Sequence, residues 1–214
     1  MPRRTFDDLY ETMPWDAVDA VVFDVGNVLV RFDPPALLRR HLPDYEAQWP
    51  LLTERIFRSA YWPMIDRGTL SLSEAADLMT GSHEELREPI TRLMRDWPDL
   101  QELMPEGLAV LEACRARGKK TYVLSNYNHE AFPVIRDKFD FFKGFDGMTV
   151  SSFIHLNKPE PAIYRALTDA YGLDPARLLF IDDSPANVEA ALNLGWNALC
   201  YSHPGKLNAF FGLT

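Results

Sequence analysis

Four short apolar runs limit the fold of this chain more than any other feature of its sequence. Residues 18–25 read VDAVVFDV, and similar runs cover residues 120–125, 177–182 and 196–201. Each run is too short for an ordinary helix and contains β-branched, aromatic or other large apolar side chains, which is typical of strands buried on both faces of a parallel sheet. The sequence therefore predicts a sheet that is covered on both sides.

Amphipathic stretches with recognisable start and stop signals lie between these runs. They cover residues 106–117, 128–138, 161–171 and 185–194. Gly118, Gly172 and Gly195 follow three of the stretches, and glycine is a common residue just after a helix. Because strands that alternate with helices require right-handed crossovers, we predict an α/β fold with a doubly wound, Rossmann-like parallel sheet.

The segment between residues 34 and 98 has a different pattern. It contains no β-rich run, and its helical candidates lie at residues 36–41, 45–59, 72–79 and 83–97. Prolines break it into short pieces, and Asp66-Arg67-Gly68-Thr69 predicts a turn. We therefore predict a small helical subdomain of residues 34–98 inserted after the first strand, with residues 1–33 and 99–214 forming the α/β core.

Charge and cysteine content exclude several classes of protein. With 31 Asp and Glu against 22 Lys and Arg, the net charge is −9, so no basic field is available to gather nucleic acid or an anionic membrane. No apolar run approaches the length that crosses a bilayer. Cys114 and Cys200 suggest neither a disulfide framework nor a zinc site. We expect a cytoplasmic protein, monomeric or weakly dimeric, without a nucleic-acid or membrane partner.

Polar residues follow the predicted strands where open α/β sheets bind ligands, outside the carboxyl ends of the strands. They are Asp24, Gly26 and Asn27 after the first run, Ser125 and Asn126 after the second, Lys158 in a loop, and Asp182 and Asp183 after the third. Parallel strands bring these groups to one edge of the sheet. The sequence therefore predicts one site that combines carboxylates, a hydroxyl, an ammonium group and a glycine-containing turn.

Each of these residues also has a purely structural interpretation. Asp24 is suited to an Asx-turn, and Ser125 or Asn126 is suited to cap the helix that follows. Lys158 alone would be read as a solvated loop charge. The adjacent acids Asp182 and Asp183 are harder to explain in that way, because acids beside an apolar core are costly unless a cation or a hydrogen-bond donor compensates them.

Phosphoryl transfer to a carboxylate is the chemistry that uses the whole set. Asp24 would be the nucleophile, and Mg²⁺, which prefers oxygen ligands, would offset the repulsion between the carboxylates and an incoming phosphate group. Lys158 would neutralise the nucleophile and the phosphoryl oxygens, and Ser125 would bind those oxygens. The sequence thus favours a magnesium-dependent phosphomonoester hydrolase whose partner is a small phosphorylated metabolite.

The strings that carry these residues resemble the four motifs of the haloacid dehalogenase superfamily. They are FDVGNVL at residues 23–29, LSN at 124–126, KPEPAIY at 158–164 and FIDDSPAN at 180–187. Their order and spacing also match, and the resemblance covers residues 20–201. The pattern is most similar to the group of sugar-phosphate phosphatases that includes the bacterial α-D-glucose-1-phosphate phosphatases.

This resemblance implies a role for each residue of the set. Asp24 would form an aspartyl-phosphate, with Lys158 as its catalytic partner. Phosphate-binding roles are implied for Gly26, Asn27, Ser125, Asn126 and Lys158, and metal-binding roles for Asp24, the Gly26 carbonyl, Asp182 and Asp183. The helical segment would be a type-1 cap, and the substrate a small sugar phosphate such as a hexose 1-phosphate.

The chain departs from the family pattern at Gly26. Most phosphatases of the superfamily carry a second Asp at this position, which protonates the leaving oxygen and later activates water. Such a group is worth about a hundred- to ten-thousand-fold in rate. Asn27, Asp33 or Asp66 is a candidate to replace it, although the glucose-1-phosphate phosphatases share the same DxGN pattern.

Two other functions remain open at this stage. A 2-haloacid dehalogenase also lacks the second Asp, but it needs no magnesium, and Asp182 and Asp183 therefore favour phosphate. The second alternative is a catalytically weak member of the fold that binds a phosphorylated ligand and regulates a partner, and Gly26 is the residue that keeps this alternative open.

Overall fold

A computed structural model describes residues 15–201 of the chain as a parallel sheet with helices around it. Its strands are β1 (Ala20–Phe23), β2 (Val30–Arg31), β3 (Glu102–Leu103), β4 (Lys120–Ser125), β5 (Gly147–Val150), β6 (Leu178–Asp182) and β7 (Asn197–Cys200). Five of them form a sheet in the order β5-β4-β1-β6-β7, and every neighbouring pair is parallel. The predicted doubly wound α/β fold is confirmed.

Helices connect these strands and fill the segment between β2 and β3. The α-helices are α1 (Pro34–His41), α2 (Trp49–Ile56), α3 (Trp62–Asp66), α4 (Leu72–Thr80), α5 (Arg87–Asp96), α6 (Pro105–Ala116), α7 (Ala131–Lys138), α8 (Ser151–Ile154), α9 (Pro161–Tyr171) and α10 (Pro185–Asn193). Short 3₁₀ segments lie at Trp15–Ala17, Pro43–Gln48, Glu84–Leu86, Trp97–Leu100, Asp140–Gly144 and Pro175–Arg177.

Burial on both faces explains the unbroken apolar character of the central strand. Val21 and Phe23 point into one apolar cluster, and Ala20 and Val22 point into another on the opposite face. All four side chains are at most 1% exposed. Because successive strand residues face opposite sides, only a sheet with two covered faces needs apolar residues at every position.

Three strands were not predicted from the sequence. β5 contains only four residues, one of them Gly147, and β2 and β3 have two residues each. Runs of this length are too short to show a period. β2 and β3 form an antiparallel ribbon, in which Val30 is opposite Leu103, and this ribbon joins the two ends of the helical segment.

The helices α1 to α5 between β2 and β3, called the helical insert below, have an apolar cluster of their own. Leu52, Ile56 and Leu93 are among its fully buried members. The predicted helices at residues 45–59 and 83–97 each begin as a 3₁₀ segment and continue as an α-helix. The short helix α3 was not predicted, and it ends at Asp66, the first residue of the predicted turn. We predicted a core of residues 1–33 and 99–214 and a cap of residues 34–98, and this division stays a prediction. Residues 1–14 and 202–214 lie outside the described part of the chain.

The described residues contain neither a membrane-spanning helix nor a disulfide. Within residues 15–201, none of the helices has both the length and the apolar character needed to cross a membrane. Cys114 and Cys200 are both buried in this part of the chain and are not joined by a disulfide.

Candidate active site

Asp24 lies directly after β1, at the carboxyl edge of the sheet. Its backbone N–H donates to Ile181 O at 2.9 Å, which continues the strand pairing by one residue. The side-chain Oδ1 accepts hydrogen bonds from Val25 N at 2.7 Å and Ser125 Oγ at 2.8 Å. The same atom lies 2.8 Å from Lys158 Nζ. The carboxyl group of Asp24 is therefore held in one orientation by its first oxygen, and no hydrogen bond within residues 15–201 reaches Oδ2.

Lys158 lies between two carboxylates. Its Nζ is 2.8 Å from Asp24 Oδ1 and 2.7 Å from Asp182 Oδ2, and only 1% of its side chain is exposed. The backbone of Lys158 is held by the amide of Asn126, which accepts from Lys158 N at 2.8 Å and donates to Lys158 O at 3.0 Å. Asn126 thus fixes the loop that carries the lysine, and its side chain is engaged there rather than free for a phosphate.

Asp182 and Asp183 are adjacent in sequence but differ in their surroundings. Asp182 is fully buried, and its carboxylate accepts from Ser184 N, Asn187 Nδ2 and Lys158 Nζ. Asp183 is partly exposed, and its Oδ2 accepts from Asn27 Nδ2 at 3.0 Å. Asp182 therefore has few lone pairs left for another ligand, whereas Asp183 keeps an oxygen that can bind one.

Asn27 connects the two sides of the site. Its backbone has φ 53°, in the left-handed region that Asn tolerates better than most residues. In this conformation its Oδ1 accepts from Phe32 N at 2.9 Å while its Nδ2 donates to Asp183. The Asn27 amide therefore orients Asp183, and this use of the side chain differs from the predicted contact with phosphate.

The three carboxylates form a group that fits a divalent cation. Asp24, Asp182 and Asp183 each present an oxygen, and these oxygens lie within 4.8 Å of one another. All-oxygen donors of this kind suit Mg²⁺. Asp24 and Asp183 each have an oxygen free to bind a cation. The oxygens of Asp182 already accept hydrogen bonds, so Asp182 is better suited to hold Lys158 and to act on a cation indirectly.

The positive charge of Lys158 does not neutralise the negative charge of the three carboxylates. Burial raises the pKa of Asp24 to about 7, the Lys158 charge works against this rise, and the charge of Asp182 adds to it. Burial also raises the pKa of Asp183. For Lys158, burial works against the charged form, but Asp182 and Asp24 outweigh it and raise the pKa of the ammonium group. Lys158 therefore stays charged, and a second cation would be needed to keep Asp24 fully ionised at neutral pH.

A cavity of about 170 Å³ opens above Asp24, between the sheet edge and the helical insert. Its lining residues are Asp24, Gly26, Asn27, Val30, Phe32, Trp62, Asp66, Trp97, Gln101, Asn126, Tyr127, Asn128 and Asp183. One wall is aromatic, since the ring centroids of Trp62 and Trp97 are 5.2 Å apart and those of Phe32 and Trp97 are 5.3 Å apart. Most of the other lining residues are polar. The cavity thus offers both aromatic side chains and hydrogen-bonding groups to a small ligand.

The structure brings the predicted site residues together at one sheet edge. Asp24, Gly26, Asn27, Asn126 and Asp183 line the cavity, while Ser125, Lys158 and Asp182 contact Asp24 or its partners from behind. Their catalytic, phosphate-binding and metal-binding roles stay predictions. Among the candidates to replace the missing acid, Asp33 caps α1 by accepting from Ala36 N at 3.0 Å, whereas Asp66 lines the cavity.

Sequence reasoning missed several residues of this site. The Asn187 amide donates to both oxygens of Asp182, and the Asn128 side chain accepts from the N–H of Ala131, the first residue of α7, at 2.7 Å. The sequence suggested such a contact with the helix start for Ser125 or Asn126. Asn187 belongs to the FIDDSPAN string, and its position three residues after Ser184 is the sequence signal that could have identified it. Tyr127 and Gln101 carried no such signal.

We expect Asp66→Asn to gain stability over the wild type as the pH rises. Burial, and secondly the charge of Asp24, raise the pKa of Asp66 from 3.8 to about 7. The folded state therefore binds this proton more tightly than the unfolded state, and the free energy of unfolding falls between these two pH values. The Tm of Asp66→Asn minus that of the wild type, measured without divalent cations, should increase by several degrees from about pH 4 to about pH 8.

The matched control for this measurement is Asp44→Asn, an exposed acid of the same helical segment. Its Tm difference from the wild type should stay nearly constant over the same range. A constant difference for Asp66→Asn as well would mean that the Asp66 carboxyl titrates normally in the folded protein.

Comparison with known proteins gives one family and several distant relatives. A family model described as haloacid dehalogenase-like hydrolase matches residues 18–195. The chain is 24% identical over 190 residues to drimenol cyclase drtB of Aspergillus calidoustus, and this match covers 86% of the chain but 34% of the cyclase. The chain thus spans about a third of that relative. It is 26% identical over 188 residues to the phosphorylated carbohydrates phosphatase of Thermotoga maritima, covering 83% of the chain and 82% of the phosphatase.

Solved structures share the fold. The HAD family enzyme bt-2542 of Bacteroides thetaiotaomicron, in complex with magnesium and inorganic phosphate, has a TM-score of 0.64 at 21% identity, covering 86% of this chain and 93% of that one. The L-2-haloacid dehalogenase of Xanthobacter autotrophicus has a TM-score of 0.63 at 19% identity, covering 85% and 76%. The fold alone therefore does not separate an enzyme that binds magnesium and phosphate from a dehalogenase, and the side chains must decide.

Proposed function

The chain belongs to the haloacid dehalogenase-like hydrolase family, and we propose that it is a magnesium-dependent phosphomonoester hydrolase that acts through an aspartyl-phosphate on Asp24. The observation that carries this proposal is the arrangement around that residue. One oxygen of Asp24 is held by Val25, Ser125 and Lys158, while the second receives no hydrogen bond from residues 15–201 and belongs to a side chain that lines the cavity. A carboxylate oriented in this way is suited to attack a phosphorus atom.

The residues around Asp24 would each support that attack. The Lys158 ammonium and the Ser125 hydroxyl are already next to Asp24 and would donate to the phosphoryl oxygens as the charge there develops. Asn126 keeps the lysine in place, and Asn187 and Ser184 keep Asp182 in place for the lysine. Magnesium bound by Asp24 and Asp183 would neutralise negative charge on the phosphoryl group.

Asp182 and Asp183 favour phosphate over an organic halide as the substrate. A dehalogenase displaces halide with a single carboxylate and gains nothing from additional negative charge near its nucleophile. The raised pKa of Asp24 indicates that this cluster is short of positive charge. A site that requires a cation is suited to a phosphate dianion bound with that cation.

The cavity supports a small sugar phosphate, such as a hexose 1-phosphate, as the substrate. Its volume of about 170 Å³ limits the ligand to a small molecule. Trp62 and Trp97 offer apolar contact to the C–H groups of a sugar ring, and Asn128 and Gln101 add polar groups for hydroxyls. The similarity to the phosphorylated carbohydrates phosphatase of Thermotoga maritima, which extends over most of both chains, supports a sugar phosphate as the substrate.

Phosphate release from a substrate panel tests the proposal. The panel contains hexose 1-phosphates, hexose 6-phosphates, glycerol phosphate, phenyl phosphate and, for the alternative reaction, 2-chloropropionate. We expect phosphate release with Mg²⁺ and none with chelator, and a kcat/KM for a hexose 1-phosphate at least about tenfold above that for glycerol phosphate, because the sugar ring adds contact with the aromatic wall.

Three results would contradict parts of this proposal. Chloride release from 2-chloropropionate without Mg²⁺ would make the protein a dehalogenase. Binding of phosphate esters with no release would make it the regulatory type of protein. Equal kcat/KM values for all phosphate esters would reject the sugar-phosphate assignment and leave the hydrolase assignment intact.

A further inference from the structure

Asp66 contributes a third carboxyl group to the cavity, next to those of Asp24 and Asp183, and this one comes from the helical insert. It is the last residue of α3 in the helical insert and lines the same cavity as Asp24. Within residues 15–201 its carboxyl oxygens make no hydrogen bond or ion pair, and the residue is half-buried at the cavity. A partly buried carboxyl group without a protein partner loses part of its hydration, so the Asp66 carboxyl is available to a ligand in the cavity.

The main chain around Asp66 is anchored firmly to the core. The Ser151 hydroxyl donates to Asp66 O, and the Asn157 amide donates to Pro63 O at 2.8 Å. Arg67, the next residue, forms an ion pair with Glu160 and donates to His155 O at 3.0 Å. These contacts come from loops and from a helix that follow the sheet strands. The Asp66 carboxyl therefore has a defined position relative to Asp24.

Tyr127 is a second polar group without a partner on the same cavity wall. Its hydroxyl is fully buried and lacks any hydrogen-bond partner within the described residues, although the side chain lines the cavity and the residue is only 7% exposed. Burial, and secondly the charge of Asp66, raise the pKa of this hydroxyl, so it stays protonated. The Asp66 carboxyl and the Tyr127 hydroxyl are thus two polar groups without protein partners beside the same cavity.

In-line displacement places the leaving oxygen near this wall. When Asp24 attacks phosphorus, the leaving oxygen lies on the far side of the phosphorus atom from Asp24, toward the helical insert. Gly26 has no side chain to reach that oxygen. We propose that Asp66, carried by the helical insert, is the general acid that protonates the leaving oxygen and the general base that activates water for hydrolysis of the aspartyl-phosphate.

This role rests on the proposed function and balances over the two steps. In the first, an Asp24 oxygen forms a bond to phosphorus, the bond from phosphorus to the leaving oxygen breaks with its electron pair, and that oxygen takes the Asp66 proton to give the alcohol. In the second, Asp66 takes a proton from water while the water oxygen bonds to phosphorus. The bond between Asp24 and phosphorus breaks, its electron pair returns to the Asp24 carboxylate, and hydrogen phosphate leaves.

The surroundings of Asp66 suit it to act as an acid in the first step and as a base in the second. Burial and the neighbouring Asp24 charge raise the pKa of Asp66 to about 7, with the Lys158 charge acting in the opposite direction. An acid with a pKa near the working pH can give and take a proton at comparable cost.

Two aryl phosphates that differ only in leaving-group strength test the proposal. Phenol is a poor leaving group and needs a proton, whereas 2,4-dinitrophenolate leaves without one. With Mg²⁺ present, rapid-quench measurements follow release of the first equivalent of the phenol and accumulation of phosphoenzyme, for wild type, Asp66→Asn and the exposed-acid control Asp44→Asn. Asparagine keeps the size and hydrogen-bonding ability of Asp66 but cannot transfer a proton.

We expect Asp66→Asn to slow phosphorylation by phenyl phosphate about a hundred- to ten-thousand-fold and phosphorylation by 2,4-dinitrophenyl phosphate about tenfold or less. With the activated substrate, phosphorylated Asp66→Asn should accumulate because its hydrolysis has lost the base. Asp44→Asn should match the wild type with both substrates.

Other outcomes separate this proposal from the proposed function. An equal loss with both substrates, or a loss confined to KM, would assign Asp66 to substrate binding and overturn its role in proton transfer, as would unchanged rates. A wild type that releases neither phenol under any condition would overturn the hydrolase assignment and, with it, the role of Asp66.

Discussion

Asp24→Asn is expected to lower phosphate release by a factor on the order of 10⁴ to 10⁶ while the protein stays folded. The amide oxygen is a poor nucleophile and cannot form an aspartyl-phosphate. It can still accept the hydrogen bonds from Val25 N and Ser125 Oγ, so the local structure has no reason to change. Removal of one negative charge from a cluster short of cations should leave the metal-free Tm unchanged or higher. Steady-state phosphate release and thermal unfolding measure the two effects.

Asp137→Asn is the matched control for this prediction, because Asp137 is an exposed acid in α7 and does not line the cavity. Its activity should equal that of the wild type. If Asp24→Asn kept more than about 1% of the wild-type rate, another group would have to be the nucleophile.

Lys158→Met is expected to lower both activity and stability. The Lys158 ammonium compensates Asp24 and Asp182 in a place where only 1% of its side chain is exposed, and loss of one partner from such a buried pair typically costs about 3–5 kcal/mol. The rate should fall by a factor on the order of 10² to 10³ or more, because the phosphoryl oxygens lose their donor. Chemical denaturation and phosphate release measure these losses.

The stability loss in Lys158→Met should depend on pH with a definite sign. Without the ammonium group, the pKa of Asp24 rises further above its unfolded value, so the folded variant binds this proton more tightly than the unfolded chain does. The free energy of unfolding then decreases as the pH rises, and the loss relative to wild type should be larger at about pH 8 than at about pH 5. Lys143→Met, which removes an exposed lysine, should show neither effect. A pH-independent loss would mean that Lys158 acts mainly through packing.

The sheet could be predicted from the sequence where burial leaves a strong pattern. Four strands were predicted because most of their residues are buried and therefore apolar on both faces: β1, β4, β6 and β7. β5 and the ribbon of β2 and β3 were not, because so few residues carry no period and their pairing is decided by distant partners. The breaks in the helical insert were expected from its prolines, but the position of each helix depends on packing in its own apolar cluster.

The site could be predicted where the chain itself brings residues to a strand end. Asp24, Ser125 and Asp182 follow from the strand positions alone, since parallel strands end at one edge. The placement of Asp66 does not follow, because it depends on how Ser151 and Asn157 hold the helical insert against the sheet. The same is true of Tyr127, whose buried hydroxyl has no sequence signal at all.

Identification of the phosphorylated residue tests the central claim most directly. The wild type is mixed with Mg²⁺ and the best substrate of the panel, quenched rapidly in acid, digested and analysed by mass spectrometry. The account predicts one added phosphoryl group on the peptide that contains Asp24, lost on treatment with hydroxylamine and absent from Asp24→Asn. A phosphoryl group on any other residue, or full turnover with no phosphorylated peptide at any quench time, would contradict it.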